Sequence, residues 1–469
     1  MIPTNEQSGD AAHALTSEGR SVSGVSLLMA GLMAGLLWMS STSLQAGDWT
    51  RFRGENGDGV ATDAAPTAVE WNDSKNLKWK VKLPGPGLSS PIIVGDRVFV
   101  TAWSGYGIDR NALGNIEQLK RHLVCVNRQS GEVLWDRPVD PVLPEEPFRG
   151  MFAENGYASH TPVSDGERVY AFYGKTGVVA YDLEGKELWR ASVGTQDDPR
   201  SWGTASSPIL YKELLIVPAC IESLSIVGLD KRTGKEVWRQ QADGLQGTWS
   251  TPILVPVDDT RTDLVVAVPY EVWGLNPETG KLRWYCDGVP SSSMCASPIC
   301  HGDTVYVVGG REGGSLAVRA GGKGDVTKTH VTWKGNDRGR IGTPVFHEGR
   351  LYWISSGIAN CIDAATGAKV YQSRLETNNA ANADTGRRGG GGGQAYSSPV
   401  AADGKLYYVD RGGETFVLQL GPEFKQLASN RFSADEGEYS ATPAISNGEL
   451  FIRSTTHLYC VSAPSTAKE

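Results

Sequence analysis

From about residue 70 onward, short aliphatic and aromatic runs alternate with polar, glycine-bearing turns, and the same order of runs keeps returning. Each unit opens with a small-residue tripeptide ending in proline: SSP at Pro91, HTP at Pro162, SSP at Pro208, STP at Pro252, ASP at Pro298, GTP at Pro344, SSP at Pro399 and ATP at Pro443. Successive prolines are 71, 46, 44, 46, 46, 55 and 44 residues apart. A β-branched or aliphatic run follows the proline, as in PIIV, PILY, PILV and PVFH. A Gly or Asp turn leads to a second run (GDRVFV, GERVYAF, GDTVYVV, GRLYWI, GKLYYV). A third run ends in an Asp or Asn turn with glycine, as in CVNRQSG, AYDLEG, GLDKRTG, GLNPETG and CIDAATG. A fourth carries Trp135, Trp189, Trp238, Trp284 or Trp333. Runs of this length, bounded by such turns, predict strands. The turn glycine supplies the positive φ that the chain reversal needs.

Four strands in about 45 residues is the sequence form of a β-propeller blade. One such sheet cannot bury both faces, so blades must stack around an axis. The eight anchors predict an all-β, eight-bladed ring, with each tryptophan wedged between neighbouring blades. The eighth unit has three strands before the sequence stops at VSAPSTAKE, while a spare tryptophan strand, NLKWKVKL with Trp79, precedes the first anchor. That N-terminal strand is expected to complete the last blade and remove an exposed sheet edge. Two units deviate: Tyr371 takes the tryptophan place in one, and GPEFKQLASNRF has no matching aromatic in the other.

Ahead of the repeats, Val25–Met39 reads VSLLMAGLMAGLLWM without a charge, with Arg20 before it and Ser43–Ala46 after it. This fits a secretory segment cut at Ala46–Gly47. It is shorter than the ~20 residues of a membrane span, although an uncleaved anchor is the alternative. No cysteine follows it in a Leu-x-x-Cys pattern. The expected organisation is a signal peptide over 1–46, a leader over 47–76, the propeller over 77–462 and a tail over 463–469. Export to the periplasm or cell envelope follows.

Composition adds exclusions. With 45 Lys and Arg against 53 Asp and Glu, the net charge of −8 lacks the basic field of a nucleic-acid binder. Glycine, 57 of 469 residues, is abundant, as a turn-rich all-β chain requires. Of the seven cysteines, Cys125, Cys361 and Cys460 share a repeat column with Ala180, Gly228, Gly274 and Ala317. That column reads as a small buried position, where cysteine serves as an apolar group. Cys286, Cys295 and Cys300 lie close enough in sequence to offer one disulfide.

The order of strand, Asp/Asn-x-x-x-Gly turn and tryptophan strand, clearest in GLDKRTGKEVW and GLNPETGKLRW, resembles the PQQ-like repeat of quinoprotein-type propellers. The resemblance covers Trp71–Val461, and WTRFRGENGDGV resembles the leader of exported planctomycete-type proteins of this class. It implies one of two activities. One kind of member binds pyrroloquinoline quinone (PQQ) and calcium and oxidises alcohols or sugars. The other, BamB-like, is non-catalytic and binds protein segments in outer-membrane barrel assembly. The chain departs from the enzymes in lacking a Cys-Cys pair and a Cys-x-x-Cys-His haem motif, and from the assembly lipoproteins in lacking a lipobox cysteine.

If the strand after each proline is innermost, the residues just before the anchors surround one mouth of the axial channel. They are Glu154, Asn155, Tyr157, His160, Trp202, Trp249, Met294, Arg338, Arg340, Gln394, Tyr396, Glu438 and Tyr439. Aromatics, carboxylates, a histidine and arginines converging on a concave mouth suit a ligand pocket; polar turns that merely cap strands are the plainer alternative. His160, Trp202, Trp249, Arg340, Tyr396 and Tyr439 are the expected ligand-binding set. His160, where other repeats have serine, is a candidate base or metal ligand or a simple hydrogen-bonding residue. Glu154 and Asn155 would offer oxygen to calcium if the chain were a quinoprotein. The run from Gly386 to Gln394 lacks the Gly-Lys-Ser/Thr of a phosphate loop and reads as a flexible connection. Long inserts at Ser104–Arg121 and Pro138–Ala158 decorate one sector, where recognition is commonly carried. The expected function is an exported, cofactor-free scaffold that binds a protein segment or small ligand at the mouth. The alternative is a PQQ- and calcium-dependent dehydrogenase.

Overall fold

The structure, a computed structural model, describes residues 47–63, 65–377, 396–435 and 437–463. The expected signal segment, the run from Gly386 to Gln394 and most of the tail lie outside the described residues. Each repeat forms one antiparallel sheet, and the eight sheets are blades 1 to 8 in the order of their prolines. Blade 1 consists of Ile92–Val94, Arg97–Ser104, Lys120–Asn127 and Val133–Val139. Its two middle strands are buried at every interior position, so they read as unbroken apolar runs rather than alternating ones. The ring closes as expected: Leu77–Lys82 pairs antiparallel with His457–Ser462 and becomes the outer strand of blade 8.

The tryptophan column explains the small-residue column. On their own blades, Trp135 lies opposite Cys125, Trp189 opposite Ala180, Trp238 opposite Gly228, Trp284 opposite Gly274, Trp333 opposite Ala317, Tyr371 opposite Cys361 and Trp79 opposite Cys460. A Cβ on Gly274 would sit 2.1 Å from the Trp284 ring, so nothing large fits there. The indole also covers the turn glycine of the next blade. Gly131, at φ +76°, would bring a Cβ within 2.8 Å of Trp79. The indole N–H groups of Trp79, Trp135 and Trp189 donate to next-blade carbonyls of Arg128, Leu183 and Lys231 at 2.7, 3.1 and 3.1 Å. These three rings bolt blades 8, 1 and 2 to the blade that follows, each with its one polar atom satisfied.

Three features differ from expectation. Blade 4 has a fifth strand, because Gly324–Asp325 from the blade 5 excursion pairs in parallel with Leu282–Asp287. Trp284 is consequently fully buried, and its N–H donates to Asp263 at 2.7 Å. In blade 7, Ala428 stands where the tryptophan would be, and the leader brings Trp71 into the same core cluster. Trp71 stacks on Tyr407 at 6.3 Å, and its backbone N–H bonds Asn430 at 2.8 Å. All seven cysteines are free, so Cys286, Cys295 and Cys300 form no disulfide. Burial pushes the Cys125 thiol up to about 12, in keeping with its packing role.

The leader runs inside the ring. Trp49 exchanges two backbone hydrogen bonds with Ile93 of blade 1, and Ser164 of blade 2 donates to the Thr50 carbonyl. Arg51 reaches the Pro252 carbonyl of blade 4 at 3.5 Å. Arg53 reaches those of Pro344 in blade 6 and Pro399 in blade 7 at 2.6 and 2.9 Å, and that of Asp58 at 2.8 Å. Gly59 and Ala61 pair with Ala401 of blade 7. A segment touching inner strands all round the ring must lie on its axis. Residues 47–61 therefore plug the channel.

Candidate functional site

The residue before each anchor proline is Ser90, Thr161, Ser207, Thr251, Ser297, Thr343, Ser398 or Thr442, a hydroxyl in all eight blades. All eight line one axial cavity. Each hydroxyl from Thr161 to Thr442 accepts the backbone N–H of its counterpart in the preceding blade, at 2.9–3.0 Å. The run of seven links is interrupted between blades 8 and 1. There the buried Arg453 binds the Ser89 carbonyl at 3.0 Å and the Thr101 carbonyl at 2.7 Å. The girdle thus orients the inner strands and leaves the hydroxyl protons for whatever enters the channel.

Phe52 of the plug floors this cavity, which makes it a cup of about 150 Å³. Its wall carries Trp202 and Trp249, whose centroids are 5.0 Å apart. Arg200 lies over both rings, at 5.5 and 5.7 Å. The Trp249 N–H is held by the Gly203 carbonyl at 2.8 Å, so this ring is fixed. Tyr396 stands opposite under the Arg411 guanidinium at 5.6 Å, and Arg311, Arg340 and Cys295 complete the polar wall. The Cys295 thiol is pushed up to about 11 by burial, so it stays protonated at neutral pH. No Asp or Glu is among the lining residues.

Of the expected ligand-binding set, Trp202, Trp249, Arg340 and Tyr396 come together in the cup. Two do not. Tyr439 is buried in the core of blades 7 and 8, with its hydroxyl on Asp435 at 3.1 Å. His160 turns away into a second, smaller cavity of about 30 Å³. There its Nε2 meets the Thr204 hydroxyl at 3.0 Å and its ring packs on Phe172. Burial lowers its pKa to about 3, so the imidazole is neutral. The reason is strand alternation: the residue before the proline faces the axis, and the one before that faces the neighbouring blade. The same cavity holds the buried Arg121–Glu145 ion pair at 2.7 Å and Glu222, whose carboxylate faces Thr204 without a hydrogen bond of normal geometry among the described residues. Burial raises Glu222 and Glu146 to about 7 each.

Of the wider set, Tyr157 and Met294 are buried in packing, and Arg338 is exposed. Glu154 and Asn155 end a four-residue helix over Phe152–Asn155, packed in the core that joins the two inserts. Glu154 is bound by Arg411 and lies 3.6 Å from Arg110, while Glu438 accepts from the same Arg411 nitrogen at 2.7 Å. The Asn155 amide donates to the Trp202 carbonyl at 2.6 Å. A calcium ion wants six to eight oxygens with carboxylates among them. A carboxylate already held by two guanidiniums beside a cup without another acid does not fit that ion. Among the described residues no cluster of His, Cys, Asp and Glu is arranged to hold a metal, and no helix is long and apolar enough to cross a membrane.

Comparison with known proteins agrees with the ring. A family model described as outer membrane protein assembly factor BamB matches residues 34–198, 114–244 and 223–423. The chain belongs to this PQQ-like repeat family. Two curated relatives are named polyvinylalcohol dehydrogenase, from Pseudomonas sp. and Sphingopyxis sp. (strain 113P3), and each is 24% identical. The alignments cover 56% and 44% of this chain, and only 48% and 34% of those proteins. The chain therefore spans half or less of the relatives it matches. Among solved structures, BamB from Moraxella catarrhalis superposes with a TM-score of 0.56 at 12% identity, over 82% of this chain and 99% of that one. A europium-containing methanol dehydrogenase gives 0.61 at 11%, over 89% and 98%. The quinohemoprotein alcohol dehydrogenase of Comamonas testosteroni gives 0.57 at 11%, over 92% and 83%. At these identities the likeness of this PQQ-like propeller to its structural neighbours is one of fold.

Proposed function

We propose that this propeller is an exported, non-catalytic scaffold that captures a protein segment or small ligand in the cup, in the service of cell-envelope assembly. The observation that carries the reading is the cup itself. Two tryptophans, a tyrosine and arginines converge on a floored hollow ringed by hydroxyls. Rigid aromatic faces and arginine dominate binding free energy when desolvated, at about 2 kcal/mol or more each. The description of the family model as an assembly factor supports the envelope role. The uncharged Val25–Met39 run supports export.

A second reading, a quinone-dependent dehydrogenase, is favoured by the names of the two curated relatives and of two structural neighbours. Against it stands the engagement of Glu154 and Asn155 with other groups. Mixing the purified protein with pyrroloquinoline quinone and calcium separates the two readings. The scaffold reading expects no stoichiometric uptake and no dye-linked alcohol oxidation. Tight uptake with turnover would replace it by the dehydrogenase.

A further inference from the structure

We infer that the cup is a receptor for a chain-end carboxylate. It takes the C-terminal residue of a partner polypeptide, with the free carboxylate toward Arg311 and Arg340 and the side chain against Trp202 and Trp249. This rests on the cup being the binding site and adds the chemistry of what it binds.

Four observations converge on an anion. First, no lining residue is acidic, and Arg311 and Arg340 have no ion-pair partner among the described residues, so the wall carries uncompensated positive charge. Second, seven of the eight girdle hydroxyls already accept a backbone N–H, and none of the eight donates to a described acceptor. What they still offer is an O–H donor, which suits an oxygen-rich anion. Third, two more guanidiniums lie directly beneath. Arg51 and Arg53 bind the carbonyls of Pro252, Pro344 and Pro399, each immediately following a girdle hydroxyl. Burial lowers them only to about 10 and about 9, so both are charged at neutral pH, and Asp58 is the nearby acid. In a poorly solvated interior such charges act over several ångströms and focus potential into a concave site. Fourth, the carboxylates of this sector are turned elsewhere: Glu154 and Glu438 to Arg411, and Glu145 to Arg121.

Size and surroundings choose the source. At about 150 Å³ the cup holds half the smallest volume usual for a drug-sized ligand, which is ~300 Å³. That is room for one residue. Met151 lines the cup and is also 41% exposed on the insert. The two inserts, which share one core, also expose Ile108, Val142 and Leu143, so the sector that carries Met151 offers apolar surface. Capture of a terminal carboxylate by converging donors, with an apolar track for the preceding residues, is an established way to read a peptide end.

The test uses the purified chain and a short alanine peptide ending in phenylalanine, as free acid and as C-terminal amide, followed by calorimetry. N-acetylphenylalanine is the small-molecule arm. The acid should bind at least ~10-fold more tightly than the amide, and added salt should weaken the acid selectively. An Arg311→Gln/Arg340→Gln variant, changed only at exposed side chains, should keep its urea midpoint and bring the acid-to-amide ratio to about one. Equal binding of acid and amide, with both lost in Trp202→Ala, would overturn the anion inference and leave the cup as a binding site. Failure of every probe to bind would overturn both. N-acetylphenylalanine binding as tightly as the peptide would overturn the polypeptide source.

Discussion

Two cavities share the wall residue Ser159, and they differ in nearly every respect that matters for function. The axial cup offers hydroxyls, aromatic faces and exposed arginines, with no acid in its lining. The side cavity, over blades 1 to 3 and under the insert, gathers Glu145, Glu146, Asp198 and Glu222 around Arg121, Lys175 and His160. Three consecutive residues serve both: Thr161 joins the girdle, His160 faces the side cavity and Ser159 touches each. Charge that is buried and paired, as in Arg121–Glu145 of the side cavity, is a commitment of the fold. Charge left exposed and without an ion-pair partner among the described residues, as at Arg311 and Arg340, is available to a ligand. On the proposed reading, perturbed acids and a neutral histidine are a feature of the buried side cavity and not of the cup.

Substitutions break or sharpen this contrast. The largest effect is expected from Arg121→Ala, which leaves the Glu145 carboxylate buried without its partner. It should cost ~3–5 kcal/mol in urea unfolding, whereas Arg340→Ala in the cup should stay within ~0.5 kcal/mol. Equal losses would erase the distinction between the cavities. Arg53→Met comes next. It removes the guanidinium that ties the plug to blades 6 and 7 through the Pro344 and Pro399 carbonyls. A loss of about 3 kcal/mol is expected, measured the same way.

The pH dependence of stability separates the acids from the histidine. Folded Glu222 and Glu146 hold protons up to about pH 7, where the unfolded chain has released them above about 4.5. Their contribution is present at low pH and is lost as pH rises through 7. His160 has the opposite sign: it stays neutral in the fold down to about pH 3, whereas the unfolded chain takes up a proton below about 6.5. Its contribution is full above 6.5 and lost as pH falls toward 3. Between 4.5 and 6.5 the two oppose each other. Glu222→Gln should remove its half of the decline, a gain relative to the wild type on the order of 3 kcal/mol between pH 4.5 and 7 and little above pH 7. His160→Gln should flatten the acid side. The smallest effect belongs to the girdle: Ser207→Ala removes the acceptor of the Thr161 N–H and should cost about 1 kcal/mol.

The ring was legible because six of the eight blades repeat the same fit between a tryptophan and small residues, and NLKWKVKL is visibly displaced from the end that lacks it. The cup was half legible. Trp202, Trp249, Arg340 and Tyr396 precede their anchors and reach the axis. The girdle was present as eight Ser or Thr residues before proline, but reading them only as small concealed the hydroxyl. Strand alternation, applied to SHTP, would have turned His160 away from the axis. The plug left no local signal. WTRFRGENGDGV has neither strand periodicity nor helical pattern, and its path depends on Arg53 at φ 64° and on carbonyls nearly 300 residues and more away. Trp71 filling the gap in blade 7 is equally a matter of tertiary structure.

The central claim is that Trp202 and Arg340 are binding surface and not packing. Trp249 is too buried, and too firmly held by the Gly203 carbonyl, to separate the two roles. The most direct measurement is the affinity for the phenylalanine-ended peptide acid and the urea midpoint, taken on one preparation each of the wild type and a Trp202→Ala/Arg340→Ala variant. The expected result is an affinity at least ~10-fold weaker with the midpoint unchanged. A variant that unfolds at clearly lower urea while binding the peptide as tightly as the wild type would contradict it.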